Sequence, residues 1–266
     1  MKKSERFVAC ALFVIAALCA SSSLSAQSPF DGTWRTLLNQ TKFSPKPMSS
    51  YLSEGWYHCV SCNPSFAVKA DGQDQAVAGQ SYDTISVREV DPKSIQIVTK
   101  KGGATISEQT RTASADGKTM TVKSTYHPAN GGPVVTTEVK ATRVGIAPAA
   151  INSTSGSWRI AAVQQSENGL LVTFKTSGDE ITMTAPTGET YTAKFDGIDV
   201  PVKNTHGNYT VSLKRINKNT VEETDKRDGK VTDVSTMTIS PDGKKMTVVD
   251  NDKLNDRTAT YYAVKQ

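Results

Sequence analysis

Asp31-Gly32-Thr33-Trp34-Arg35 returns 124 residues later as Ser155-Gly156-Ser157-Trp158-Arg159, and the rest of the chain keeps nearly the same spacing. Phe66-Ala67-Val68-Lys69-Ala70-Asp71-Gly72 is matched by Tyr191-Thr192-Ala193-Lys194-Phe195-Asp196-Gly197. Thr84-Ile85-Ser86-Val87-Arg88 is matched by Thr210-Val211-Ser212-Leu213-Lys214, and Ser114–Val122 by Ser240–Val248, both at an offset of 126. Collinear matches whose offset drifts by only two residues identify an internal duplication. A unit of about 120 residues has the size of a domain, well beyond the 20–45 residues of a solenoid repeat. The halves run over 27–145 and 154–266, and the small, apolar, Pro-containing segment 146–153 reads as a linker between them.

Within each half the pattern is that of strands joined by tight turns. Trp158–Val163, Leu170–Lys175, Glu180–Ala185, Thr190–Asp196, Tyr209–Ile216, Thr220–Asp225, Val231–Ser240, Lys245–Asp250 and Arg257–Lys265 are rich in Val, Thr, Ile and Tyr. Tyr191, Ala193 and Phe195 alternate with Thr190, Thr192 and Lys194, a period of two. The joints carry turn residues, among them Asn168-Gly169, Asp228-Gly229 and Asp242-Gly243. No window after residue 26 keeps a helical period for three turns. The reading is all-β: two tandem up-and-down antiparallel β-barrels of eight to ten strands each, because an open meander would expose two long edges.

The start of the chain reads as a secretory signal. Lys2, Lys3 and Arg6 precede an apolar run from Phe7 to Ala20, and small residues lead to a cut after Ala26. A run of 14 residues is short for a membrane span, and nothing later in the chain is apolar for long enough, so the mature chain is expected to have no transmembrane segment. The segment 1–26 is therefore a cleaved signal peptide, and the expected address is the bacterial periplasm or the medium. Cleavage lowers the net charge from +5 to +3, and no run of like charge exceeds a Lys-Lys pair. That removes nucleic acid from the expected partners.

Gly32-Thr33-Trp34 and Gly156-Ser157-Trp158 each open a meander of short strands with Gly-x-Trp, and in this the chain resembles the lipocalin-like (calycin) barrels. The resemblance implies that the Trp closes one end of the barrel and that a cation from the last strand packs over it. Arg143 and Lys265 hold the matching places, so the implied pairs are Trp34 with Arg143 and Trp158 with Lys265. Such a contact is worth roughly 0.5–2 kcal/mol. The Thr-Asp-Tyr signature that lipocalins carry between middle strands is absent, as is a helix before the last strand. The whole chain also resembles a group of secreted bacterial proteins with the same duplicated pattern, from which no activity carries over.

Few residues suggest chemistry. Cys10 and Cys19 leave with the signal, so Cys59 and Cys62 remain, in a CxxC facing an oxidising compartment. A local disulfide is the expected state, beside a metal site of His58, Cys59 and Cys62 or a redox pair. The chain has three histidines, at non-equivalent places in the two halves, and no nucleophile elbow, zinc-protease motif or phosphate loop. No catalytic residue, metal or cofactor is expected. Phe66, Ile85, Val87 and Met120 in the first half face the barrel interior on this reading. Tyr191, Phe195, Val211, Leu213, Met246 and Tyr261 do so in the second. Ile106–Thr112 and Thr220–Arg227 are polar on both faces, which suits a solvated cavity better than a dry core. Phe43, Tyr51, Leu52, Trp56 and Tyr57 form the densest aromatic stretch. The expected function is non-enzymatic: a barrel holding a small apolar or amphipathic ligand, or else filled barrels serving as an interaction module of the cell envelope.

Overall fold

The computed structural model describes residues 28–146 and 152–266. The signal-peptide reading of 1–26 lies outside them. The first half contains β1 (Gly32–Thr36), β2 (Met48–Ser53), β3 (Trp56–Cys59), β4 (Phe66–Lys69) and β5 (Gln75–Ala76). It continues with β6 (Thr84–Asp91), β7 (Ser94–Lys101), β8 (Ala104–Ala113), β9 (Thr119–Tyr126) and β10 (Val135–Val144). The second half repeats them in order: β11 (Gly156–Gln165), β12 (Leu171–Ser177), β13 (Glu180–Thr184), β14 (Thr190–Lys194) and β15 (Val200–Pro201). It ends with β16 (Tyr209–Asn217), β17 (Thr220–Arg227), β18 (Lys230–Ile239), β19 (Lys245–Asp252) and β20 (Arg257–Lys265). No helix among the described residues is long and apolar enough to cross a membrane.

The duplication extends to local geometry. Asp116 accepts hydrogen bonds from Ser114 Oγ (2.6 Å) and Lys118 N (3.0 Å), and Asp242 accepts the same pair from Ser240 and Lys244 at 2.6 and 3.1 Å. The glycines that follow, Gly117 and Gly243, have φ of 68° and 70°, a region closed to most side chains. The ladder slips after Thr99 in β7 and after the equivalent Asp225 in β17.

The strands form two ten-stranded, nearly closed antiparallel barrels. Asp71 bridges Arg88 and Asp196 bridges Lys214, narrowing the gap beside β4 and β14. The two first strands, however, are exchanged. One sheet runs β4-β3-β2-β11-β10-β9-β8-β7-β6-β5, the other β14-β13-β12-β1-β20-β19-β18-β17-β16-β15. Barrel 1 is therefore β2–β11, and barrel 2 is β12–β20 with β1 inserted between β12 and β20. Neither barrel is a contiguous half of the chain, as the boundaries 27–145 and 154–266 would have it. The connection explains the outcome. β10 and β11 are consecutive and pair antiparallel from Val144↔Ser157 to Thr137↔Gln165, so β11 takes the position beside β10 at small loop-closure cost. β1 then fills the equivalent place in barrel 2, where Trp34 lies opposite Lys265 and Val172.

The exchange corrects the pairs implied by the family resemblance. Lys265 Nζ lies 5.0 Å from the Trp34 ring centroid, and the Arg143 guanidinium lies 4.1 Å from that of Trp158. The cations and indoles are the expected ones, with partners swapped because the strands are swapped. Each indole is fully buried and donates to the carbonyl four residues earlier, Trp34 to Phe30 and Trp158 to Thr154, both at 2.8 Å. Arg143 also donates to the carbonyls of Gly117, Ser153 and Ser155, each at 2.6 Å. Of the segment read as a linker, 147–151 lie outside the described residues. Asn152 is buried and bonds Glu89 Oε1 (2.9 Å) and Asp91 O (2.8 Å), while Ser153 N donates to Pro92 O. Residues 152–155 thus plug one end of barrel 1.

Candidate functional site

The two barrels share a lattice and differ in what fills it. Barrel 2 has one continuous apolar core that includes Trp34, Phe174, Leu213 and Met246. The core of barrel 1 is split in two: Tyr57, Ile85, Val87 and Ile97 belong to one cluster, Met120, Val122, Ala141 and Trp158 to another. Between them lies open volume. One cavity of about 530 Å³ and one of about 520 Å³ share Tyr57, Cys59, Cys62, Tyr82, Gln109 and Arg111 as a common wall. A further trough of about 560 Å³ between Gln96 and Gln165 is open and lined almost wholly by Gln, Thr, Ser, Lys and Glu. No apolar side chain lines it.

β8 makes the chamber. Its polar residues Gln109 and Arg111 line both cavities, and Ser107 lines the one of about 530 Å³. Arg111 is half-buried and donates to Gln109 Oε1 (2.6 Å), Ser50 Oγ (3.1 Å) and Tyr57 Oη (3.2 Å), with its guanidinium 5.9 Å from the Tyr57 ring centroid. All three acceptors are neutral. Burial, and then the neighbouring Tyr57, push the Tyr82 hydroxyl up to about 12, against the opposing influence of Arg111. It stays protonated, a hydrogen-bond donor in the chamber wall.

Both cavities are completed by barrel 2. At one end the wall includes Glu189, Thr205, His206 and Tyr209. There Tyr126 Oη donates to Glu189 (3.0 Å), and His206 Nε2 lies 2.6 Å from His127 O. At the other end it includes Arg227, Leu254, Asn255 and Arg257. Arg227 donates to Gly79 O (2.9 Å) and Arg257 to Pro47 O (3.2 Å), while the buried Arg257 Nε has no hydrogen-bond partner among the described residues.

The repeat offset of 126 carries this contrast across the whole interior. Ile97, Thr99, Ser107, Ser124 and Tyr126 of barrel 1 correspond to Glu223, Asp225, Asp233, Asp250 and Asp252 of barrel 2, and Arg111 corresponds to Met237. In barrel 2 Asp225 lies opposite Asp233, and Asp233 opposite Asp252. Burial raises the carboxyls of Glu223, Asp225 and Asp233, and mutual repulsion adds to it; Asp225 is pushed up to about 8. Tyr191 Oη donates to Glu223, and Ser235 Oγ to Asp250 at 2.8 Å.

The residues singled out in the sequence fall as follows. Cys59 and Cys62 are joined in a disulfide that borders both cavities. His58, on the opposite face of β3 from Cys59, stacks on Tyr51 with ring centroids 4.4 Å apart. Ile85, Val87, Met120, Tyr191, Val211, Leu213 and Met246 are buried. Phe66 lines the chamber, Phe195 lies under the Arg215 guanidinium at 3.9 Å, and Tyr261 borders a small cleft near Phe43. Leu52 and Tyr57 of the aromatic stretch are core, while Tyr51 and Trp56 are exposed. Gln109 and Arg111 were not single candidates in the sequence. The signal for them lay in aligning β8 with β18, where Met237 marks Arg111 as the exception. No protein-family model, no curated protein and no solved structure matches this chain.

Proposed function

We propose that this is a non-enzymatic, periplasmic or secreted binding protein whose barrel 1 is a lipocalin-like chamber for a small amphipathic molecule. The observation that carries the reading is the split core of barrel 1, with two adjoining cavities of about 530 and 520 Å³ where barrel 2 has continuous packing. Each falls within the usual 300–1,000 Å³ of a ligand site. Phe66, Ile85, Ile97, Met120 and Val122 supply apolar wall, and Ser50, Tyr57, Tyr82, Gln109 and Arg111 supply a compact polar group.

Native mass spectrometry of the mature protein tests this first, the expected result being a mass retained on the folded chain and lost on denaturation. Titration with the neutral fluorophore N-phenyl-1-naphthylamine completes the test. One saturable site is expected, abolished by Gln109→Trp, whose bulk projects from the wall common to both cavities. Absence of binding, or binding indifferent to Gln109→Trp, would overturn the reading. A second reading, contact with a protein of the cell envelope, draws on exposed Tyr51, Trp56 and Val60 around β2 and β3. It predicts that Trp56→Ser abolishes a pull-down partner without affecting fluorophore binding.

A further inference from the structure

We propose, on the chamber reading above, that the ligand carries an oxyanionic head, a carboxylate or a phosphate or sulfate ester. In this proposal the head is held where the two barrels meet, by Arg111 of barrel 1 and Arg257 of barrel 2, with Arg227 beside them.

Three observations carry this. The cavity of about 520 Å³ is bordered by Arg111, Arg227 and Arg257 and by no aspartate or glutamate. None of the three guanidinium groups lies within ion-pair distance of a carboxylate among the described residues. Arg227 acts on Asp233 only over longer range. Arg257 lies opposite Asp252 on the ladder and shares a small cleft with Asp250 and Asp252, but neither carboxylate reaches its guanidinium; Asp252 is occupied by Leu254 N, Asn255 N and Asn255 Nδ2, and Asp250 accepts from Ser235 Oγ. The third observation is the buried Nε of Arg257, a donor with no acceptor. A buried donor left unmatched is costly. An oxyanion at the junction supplies the missing acceptor, and guanidinium forks suit its geometry. The apolar part of the same molecule would then run along Met120, Val122 and Val139, which line the same cavity.

The barrel 2 contribution makes the site composite. Arg257 opens β20, the strand that pairs with the exchanged β1, so the two halves cannot separate without dismantling the site. Charge separates the two interiors: four chamber-lining positions, Ile97, Thr99, Ser107 and Tyr126, correspond to carboxylates in barrel 2, and Arg111 corresponds to Met237.

The experiment is calorimetric titration of the mature full-length protein with dodecanoate, dodecyl phosphate and dodecan-1-ol, each below its aggregation concentration. Both anions are expected to bind roughly tenfold to a hundredfold more tightly than the alcohol, the range for hydrogen bonds to charged groups. The preference should collapse in Arg111→Gln and in Arg257→Gln and persist in Arg111→Lys. The ratio between carboxylate and phosphate then names the source of the head group. Equal binding of all three ligands to the unaltered protein overturns the anionic head and leaves the chamber standing. So do variants that weaken the alcohol as much as the anions. Failure of all three to bind overturns the chamber and the inference with it.

Discussion

If β1 and β11 are exchanged, cysteine pairs that span the halves should cross-link and pairs within a half should not. Thr33 Oγ1 and Thr173 Oγ1 lie 2.9 Å apart, and their repeat equivalents Ser157 Oγ and Ser49 Oγ lie 2.7 Å apart. Thr33→Cys with Thr173→Cys, or Ser49→Cys with Ser157→Cys, therefore places two sulfurs side by side. The first pair closes a loop of 140 residues, and the chain-entropy model assigns it roughly 5 kcal/mol of stabilisation. An unexchanged fold would instead bring Thr33 to Ser49, closing 16 residues for roughly 3 kcal/mol. Peptide mapping of the oxidised variants without reduction identifies the bond, and urea unfolding with and without reductant measures its worth. Quantitative cross-linking of Thr33→Cys with Ser49→Cys, while Thr33→Cys with Thr173→Cys stays reduced, would refute the exchange and the composite site built on it.

Other consequences concern the interiors and the closing cations. Asp225 keeps a proton to about pH 8 in the folded chain and loses it near 3.8 when unfolded, so stability should fall as pH rises between those values. The upper bound is roughly 6 kcal/mol, and because the cluster shares its protons Asp225→Asn is expected to recover about 2–3 kcal/mol at pH 8 and little at pH 4. Denaturant unfolding at both pH values checks the sign. Arg143→Ala loses a cation–indole contact and leaves three carbonyls unpartnered, about 3 kcal/mol in all. Lys265→Ala loses a contact at 5.0 Å and one bond at 3.4 Å, about 1 kcal/mol, so paired melting curves should separate the two. Replacing both Cys59 and Cys62 by Ser opens a closure of three residues and should cost no more than about 2 kcal/mol.

The strands were legible because burial on one face forces a period of two, and because Asp-Gly pairs can be read as turns. The nine runs read in the second half coincide with β11–β14 and β16–β20 to within two residues at each end. β15 escaped: it is only Val200–Pro201, and a proline inside a two-residue edge leaves no alternation to detect. The exchange could not be read from residue type, since both first strands carry Gly-x-Trp and fit either barrel. Chain connection chose between them, and that is a property of the fold. The chamber was half legible. Ile106–Thr112 and Thr220–Arg227 look alike as doubly polar strands, yet one brings an arginine inward and the other two carboxylates. Only register shows it: the offset of 126 sets Arg111 of β8 against Met237 of β18, and Ile97 and Thr99 of β7 against Glu223 and Asp225 of β17.

That contrast bears on why both barrels persist in one chain. Barrel 1 shows that the lattice accepts Ile97 and Thr99 where barrel 2 has Glu223 and Asp225, so the fold itself does not require buried acids. Carboxylates opposite one another on neighbouring strands destabilise a sheet, and here they do so in the barrel with the better-packed core. A solid barrel can absorb that cost, while a barrel with a divided core has less stability to spare. Division of labour follows from the energetics. The packed half carries the acidic interior and lends its rim to the hollow half, whose Arg111 is left without an acidic neighbour. Strand exchange then keeps the lender in place, because each barrel is closed by a strand encoded in the other half.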